Sequence, residues 1–139
     1  MKNEFMSRAI TLSIESVYKG GGPFGSLIVK DNKIISEGFN QVTSTNDPTA
    51  HGEIVAIRNS CKILNSFSLK GCDLYTSCEP CPMCMSAIYW ARIDNVYYAN
   101  TRDDAKKIDF DDSLIYEQLT KSIKERKIRM TQLMRNEAL

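Results

Sequence analysis

Histidine occurs once in the chain, and it stands two residues before an acid in Thr49-Ala50-His51-Gly52-Glu53. Further on, Glu79-Pro80-Cys81-Pro82-Met83-Cys84 places two of the five cysteines three positions apart behind a proline. A lone Cys-x-x-Cys has three common origins: half of a structural zinc site, a redox dithiol, or chance. A four-thiolate zinc site needs a second, separate pair, and the chain has none, since Cys78-Glu79-Pro80-Cys81 shares Cys81 with the first. Three protein ligands are enough for a catalytic zinc, which keeps its fourth position for water. His51 supplies a neutral imidazole, and Cys81 and Cys84 supply thiolates. Zinc lowers the pKa of bound water from about 15.7 toward ~7, and a nearby carboxylate can take the released proton and pass it on. Glu53, two residues from His51, is the residue placed for that work. Alone, an isolated histidine is more often a surface or core residue, and a first-turn glutamate more often serves the helix dipole. It is the pairing of the two motifs that points to metal chemistry. Cys78, three residues before Cys81, would close the site as a fourth ligand and leave Glu53 without a task, so it is read as a strand-end residue.

The motifs need two helix starts that face each other. Residues 4–18 follow a helical period with Phe5, Ala9, Leu12 and Val17, and Gly20-Gly21-Gly22-Pro23 ends it. Phe24–Lys30 and Ile34–Asn40 read as a β-hairpin about the turn Asp31-Asn32-Lys33. After a polar loop over 42–49, Pro48 and Thr49 open a helix over about 50–64. Cys72–Ser77 reads as a strand, Pro80–Ala91 as a helix, and Asn95–Ala99 as a strand. Residues 100–112 read as a polar loop with at most one helical turn, Ser113–Thr120 as a helix, and Lys127–Gln132 as a last strand. Helices that alternate with strands indicate an α/β sandwich, in which loops and helix starts at one sheet edge hold the ligand. The starts near His51 and Cys81 are those places. Positive helix ends there also favour the thiolate form of cysteine.

The bulk properties exclude several other classes. The 139 residues suit one domain, 1–139, and 42% hydrophobic with 25% charged residues is the composition of a globular protein. No apolar run approaches the ~18 residues of a membrane span. The start, Met1-Lys2-Asn3-Glu4-Phe5, lacks the apolar stretch of a secretory signal, so a cytoplasmic protein with reduced thiols is expected. A net charge of +1 disfavours a large nucleic-acid footprint. The basic residues do gather at the end of the chain: residues 120–139 hold six of them against two acidic ones. That reads first as a solvated surface.

His-x-Glu with Pro-Cys-x-x-Cys resembles the cytidine deaminase superfamily. The resemblance is narrower over Gly22-Pro23-Phe24-Gly25, Asn46-Asp47-Pro48-Thr49-Ala50-His51, Leu74 through Cys84, Ala87-Ile88-Tyr89-Trp90-Ala91-Arg92 and Phe110-Asp111-Asp112-Ser113-Leu114-Ile115-Tyr116. Those runs, covering roughly residues 5–135, are similar to the superfamily's guanine-deaminating branch. The resemblance implies a three-layer α/β/α sandwich around a five-stranded mixed sheet. It implies Zn2+ on His51, Cys81 and Cys84, and Glu53 as proton shuttle. It also implies Asn40 holding the purine, Asp112 assisting proton transfer at the substrate amine, and Phe24 and Trp90 lining the pocket. A planar purine suits such a pocket, with apolar faces and a few fixed polar groups. The expected reaction is hydrolytic deamination of guanine to xanthine and ammonia, and the expected assembly is a homodimer using the apolar face of helix 80–91.

Two departures stand out. Relatives usually read His-Ala-Glu; here Gly52 intervenes, with its backbone expected to face substrate. The branch usually carries a longer tail that closes over a partner's pocket, whereas this chain stops at Glu137-Ala138-Leu139, which leaves a truncated tail or an absent lid. The same chemistry also fits guanosine, tRNA adenosine or cytosine. Outside that chemistry stand a non-catalytic zinc-binding interaction module and a thiol redox protein using Cys81 and Cys84.

Overall fold

A computed structural model describes residues 1–139. Its elements run α1 (Lys2–Tyr18), β1 (Gly25–Lys30), β2 (Lys33–Phe39), α2 (Val42–Thr45), α3 (Gly52–Leu64), β3 (Cys72–Cys78), α4 (Pro82–Ala91), β4 (Asn95–Asn100), α5 (Arg102–Lys107), α6 (Ser113–Thr120), a 3₁₀ turn (Ile123–Glu125) and α7 (Arg135–Ala138). The four strands form one mixed sheet in the order β2-β1-β3-β4. β1 pairs antiparallel with both β2 and β3, while β3 and β4 run parallel through the α4 crossover.

Both faces of the sheet are covered, so β1 and β3 are buried along almost their whole length rather than at alternate residues. Successive strand residues point to opposite faces. Leu27, Val29 and Tyr75 meet Ala9 and Leu12 of α1 on one face. Ile28 and Leu74 meet Ala56 of α3 and Ile88 and Ala91 of α4 on the other. α3 lies very close to β2: a Cβ at Gly38 would stand 2.4 Å from the Gly52 carbonyl oxygen and 2.7 Å from the Ala56 nitrogen. The absence of a side chain at Gly38 is what lets the start of α3 settle onto the sheet edge.

The expected fifth strand at Lys127–Gln132 does not form. A strand needs a ladder partner, and here the local hydrogen bonds go to α6 instead. The Lys127 N–H donates to Gln118 Oε1 at 2.7 Å, and Arg126 Nε donates to the carbonyls of Gln118 and Lys121. Ile128 and Met130 within it are exposed. The loop expected over 42–49 contains the short α2, and the loop over 100–112 contains α5. Thr101 and Asp104 close a capping box at the start of α5. No helix is long and apolar enough to cross a membrane, and all five cysteines are free thiols.

Leu74 is fully buried where β3 meets α3 and α4. Leu74→Ala is expected to cost about 2–5 kcal/mol of stability, read as a lower urea midpoint with an unchanged slope.

Candidate active site

The C-terminal ends of β3 and β4 share one edge of the sheet with the start of β1 and the end of β2, as the pairing requires. α3 and α4 begin at this edge. Their N-cap residues are His51 and Cys81, both with extended backbone and neither using its side chain to cap its own helix. The loop before His51 is tied by Asp47, whose Oδ1 accepts from the Thr49 N–H at 2.9 Å and from the Thr49 hydroxyl. Pro82 starts α4 with a fixed φ and no N–H to satisfy.

The two caps turn toward each other. His51 Nδ1 lies 3.6 Å from Cys81 Sγ and 3.5 Å from Cys84 Sγ. All three donor atoms fall within 4.8 Å of one another. A nitrogen at about 2.05 Å and a sulfur at about 2.3 Å from one tetrahedral zinc stand about 3.6 Å apart, so the trio fits Zn2+. Between the two thiols, a hydrogen bond from Cys84 holds Cys81 down to about 4 against burial, and His51 adds to the effect. The same bond, together with burial, pushes Cys84 up. His51 is raised chiefly by its hydrogen bond with Cys81. Cys78 stands apart from the trio: its thiol donates to the Thr101 carbonyl at 3.7 Å, and burial, with Glu53 adding, raises it to about 11.

These residues open onto a cavity of about 510 Å³, within the range of small-molecule sites. Phe24, Asn40, His51, Glu53, Cys81 and Asp112 all line it. Glu53 is 6% exposed, and its Oε1 accepts from Ser26 Oγ at 3.0 Å and Thr76 Oγ1 at 3.2 Å. Asn40 Oδ1 accepts from the Val42 N–H at 3.1 Å, which leaves its Nδ2 amide free to meet a ligand. Asp112 stands at the N-cap of α6 without capping it; the neighbouring Asp111 Oδ1 takes the Ser113 N–H instead. Burial raises the Asp112 carboxyl, opposed by Arg102, whose Nε lies 3.8 Å away.

Two of the expected pocket residues lie elsewhere. Gly52 is buried at the first turn of α3 and does not line the cavity. Trp90 is 81% exposed and sits with Tyr89 and Ser86 in a shallow surface depression. The reason is helical rise: Trp90 follows Cys84 by six residues, about 9 Å along α4, so the helix that delivers Cys84 to the site carries Trp90 away from it.

Other residues enter unannounced. Phe110 packs edge-on against Phe24, with centroids 4.9 Å apart and planes at 84°, giving the cavity an aromatic wall. Arg102 lies over the Tyr116 ring at 3.8 Å, and its backbone N–H donates to Glu79 Oε1 at 3.0 Å. The Phe110 run was visible in the sequence, but nothing local marked that ring as the partner of Phe24.

The family model of the cytidine and deoxycytidylate deaminase zinc-binding region matches residues 1–100. The chain belongs to this deaminase family. It is 54% identical over 136 residues to the guanine deaminase of Bacillus subtilis (strain 168), spanning 97% of this chain and 87% of that one. The X-ray structure of guanine deaminase from Bacillus subtilis superposes with a TM-score of 0.95 at 53% identity, covering 98% and 87% of the two chains. The tRNA-specific adenosine deaminase of Aquifex aeolicus (strain VF5) is 41% identical over 98 residues, or 70% of this chain and 65% of that one.

Cys81→Ser and Cys84→Ser should each reduce bound zinc from one ion per chain toward none, measured by plasma mass spectrometry. Cys78→Ser should leave the zinc content unchanged.

Proposed function

We propose that this protein converts guanine and water to xanthine and ammonia, with His51, Cys81 and Cys84 holding zinc. The observation that carries the reading is the position of Glu53: a buried carboxylate lining the same cavity as His51 and Cys81, two of the three metal donors, with Cys84 buried behind them. Likeness to the Bacillus subtilis enzyme over nearly the whole chain supports guanine as the base.

When bound, zinc supplies a Lewis acid that makes water ionisable near neutral pH. Glu53 takes the proton of the water that adds to C2 of the purine. It returns that proton to the adjoining ring nitrogen, then carries the proton of the new C2 hydroxyl to the amine, so ammonia leaves as the C2–N bond breaks and the C2 carbonyl forms. Phe24 and Phe110 hold the ring plane, and the Asn40 amide donates to an acceptor on its edge. Asp112, kept partly out of water beside Arg102, receives and relays protons at the amino group. Gly52 serves the substrate only indirectly, through the packing at the start of α3.

The chain acts as a cytoplasmic homodimer on a free base rather than on nucleic acid. The exposed Tyr89 and Trp90 of α4 provide an apolar face for a second copy. Light scattering reads the assembly.

Glu53→Gln should lower kcat at least about a hundredfold, the scale of a lost general acid–base, with zinc retained. Ammonia release is measured with guanine, guanosine, adenine, cytosine and cytidine. Turnover of guanine above the others is expected; turnover confined to another base would overturn the substrate assignment.

A further inference from the structure

Ser26 and Thr76 are hydroxyl residues in the buried stretches of two central strands. They are direct cross-strand partners in the β1–β3 ladder, with hydroxyl oxygens 2.8 Å apart. Each is almost fully buried, 0% and 1% exposed respectively. A buried hydroxyl is costly unless it is hydrogen-bonded, and both reach the same acceptor, Glu53 Oε1, at 3.0 and 3.2 Å. Each hydroxyl has one hydrogen to give. Ser26 Oγ also donates to Thr76 Oγ1, so the two hydrogens serve three contacts and run as a relay in which Thr76 donates to Oε1 and Ser26 holds Thr76 in place. Oε1 is thereby fixed to the sheet, and Oε2 is left as the oxygen available to the cavity.

Gly52, the residue that departs from His-Ala-Glu, completes the arrangement. A Cβ at position 52 would stand 3.3 Å from Ser26 Oγ and 3.4 Å from the Gly38 carbonyl oxygen. An alanine there crowds the hydroxyl that holds Glu53.

We propose that Ser26 and Thr76 are positioning residues that clamp one oxygen of Glu53 to the sheet so that the other is aimed at the reacting atoms, and that Gly52 keeps the space this clamp needs. The clamp rests on the reading of Glu53 as the proton carrier. It acts on geometry: a carboxylate held in one rotamer meets the proton it must move without a search, and a misplacement near 1 Å at a reacting group can cost about a hundredfold in rate. The three residues come from β1, β3 and the first turn of α3, so the clamp also fixes how the helix start sits on the sheet edge.

The test compares Thr76→Val, which removes the hydroxyl at nearly constant shape, with Thr76→Ser, which keeps the hydroxyl and loses a methyl group. It adds Ser26→Ala, Gly52→Ala, Ser26→Ala/Gly52→Ala and Ser26→Ala/Thr76→Val. Zinc content and melting temperature are read for each variant beside kcat and KM for guanine. The clamp predicts that Thr76→Val lowers kcat about tenfold or more while KM stays within about twofold and zinc stays at one per chain. Thr76→Ser should retain kcat within about twofold even where its melting temperature falls. Gly52→Ala should lower kcat in the presence of Ser26 and change nothing further once Ser26 is alanine. Wild-type kcat in Ser26→Ala/Thr76→Val, or equal losses in Thr76→Val and Thr76→Ser, would overturn the proposal. Should the double variant fail to fold, the Thr76 pair alone decides. Glu53→Gln separates this result from the underlying reading: if it kills turnover while the clamp variants do not, only the clamp falls, and if it retains turnover, the role of Glu53 falls as well.

Discussion

Three donor atoms from two helix starts must meet within bonding distance of one ion, and the rest of the structure serves that requirement. His51 and Cys81 can meet only if α3 and α4 begin at the same sheet edge and point their caps inward. The sheet order guarantees it. β3 lies beside β1, β4 runs parallel to β3, and the connection through α4 returns the chain over the same face that α3 occupies. Gly38 lets α3 approach, Pro82 opens α4 with the right φ, and Cys84 follows one turn later on the same side as Cys81. A cap that bonded its own helix amides would have no side chain left for metal. Here neither cap does so, which is a local stability cost accepted at a functional position.

Around this centre the polar groups are few and each is held by a named partner. Glu53 is buried with two hydroxyls on one oxygen, Asp112 faces Arg102, and Glu79 holds the Arg102 amide. Arg102 lies flat on Tyr116, so α5 and α6 are joined to the cavity wall through one guanidinium. The aromatic pair Phe24 and Phe110 supplies the apolar face. Such a site gives a planar ligand one orientation and keeps proton-moving groups at fixed places around it.

Much of this was legible in the sequence because it is local. The hairpin, the helices at 4–18 and 50–64, and the His/Cys/Cys trio follow from spacing within short windows, and family resemblance added Asn40 and Asp112 to the cavity. What escaped reading depends on distant pairing. Ser26 meets Thr76 only through strand register, and Phe110 meets Phe24 only across the folded site. The strand expected at Lys127–Gln132 has no ladder partner, because Gln118 and Arg126 draw that segment against α6. Trp90 was placed in the pocket by resemblance, and the rise of α4 takes it to the surface of the chain.

X-ray absorption at the zinc edge of the purified protein tests the metal centre most directly. The account predicts one imidazole nitrogen near about 2.0–2.1 Å, two sulfurs near about 2.3 Å and one further oxygen or nitrogen scatterer. A shell of four sulfurs, or of three sulfurs with the imidazole, would contradict it because no open position would remain for the water on which Glu53 acts, and a shell without a histidine contribution would contradict the assignment of His51.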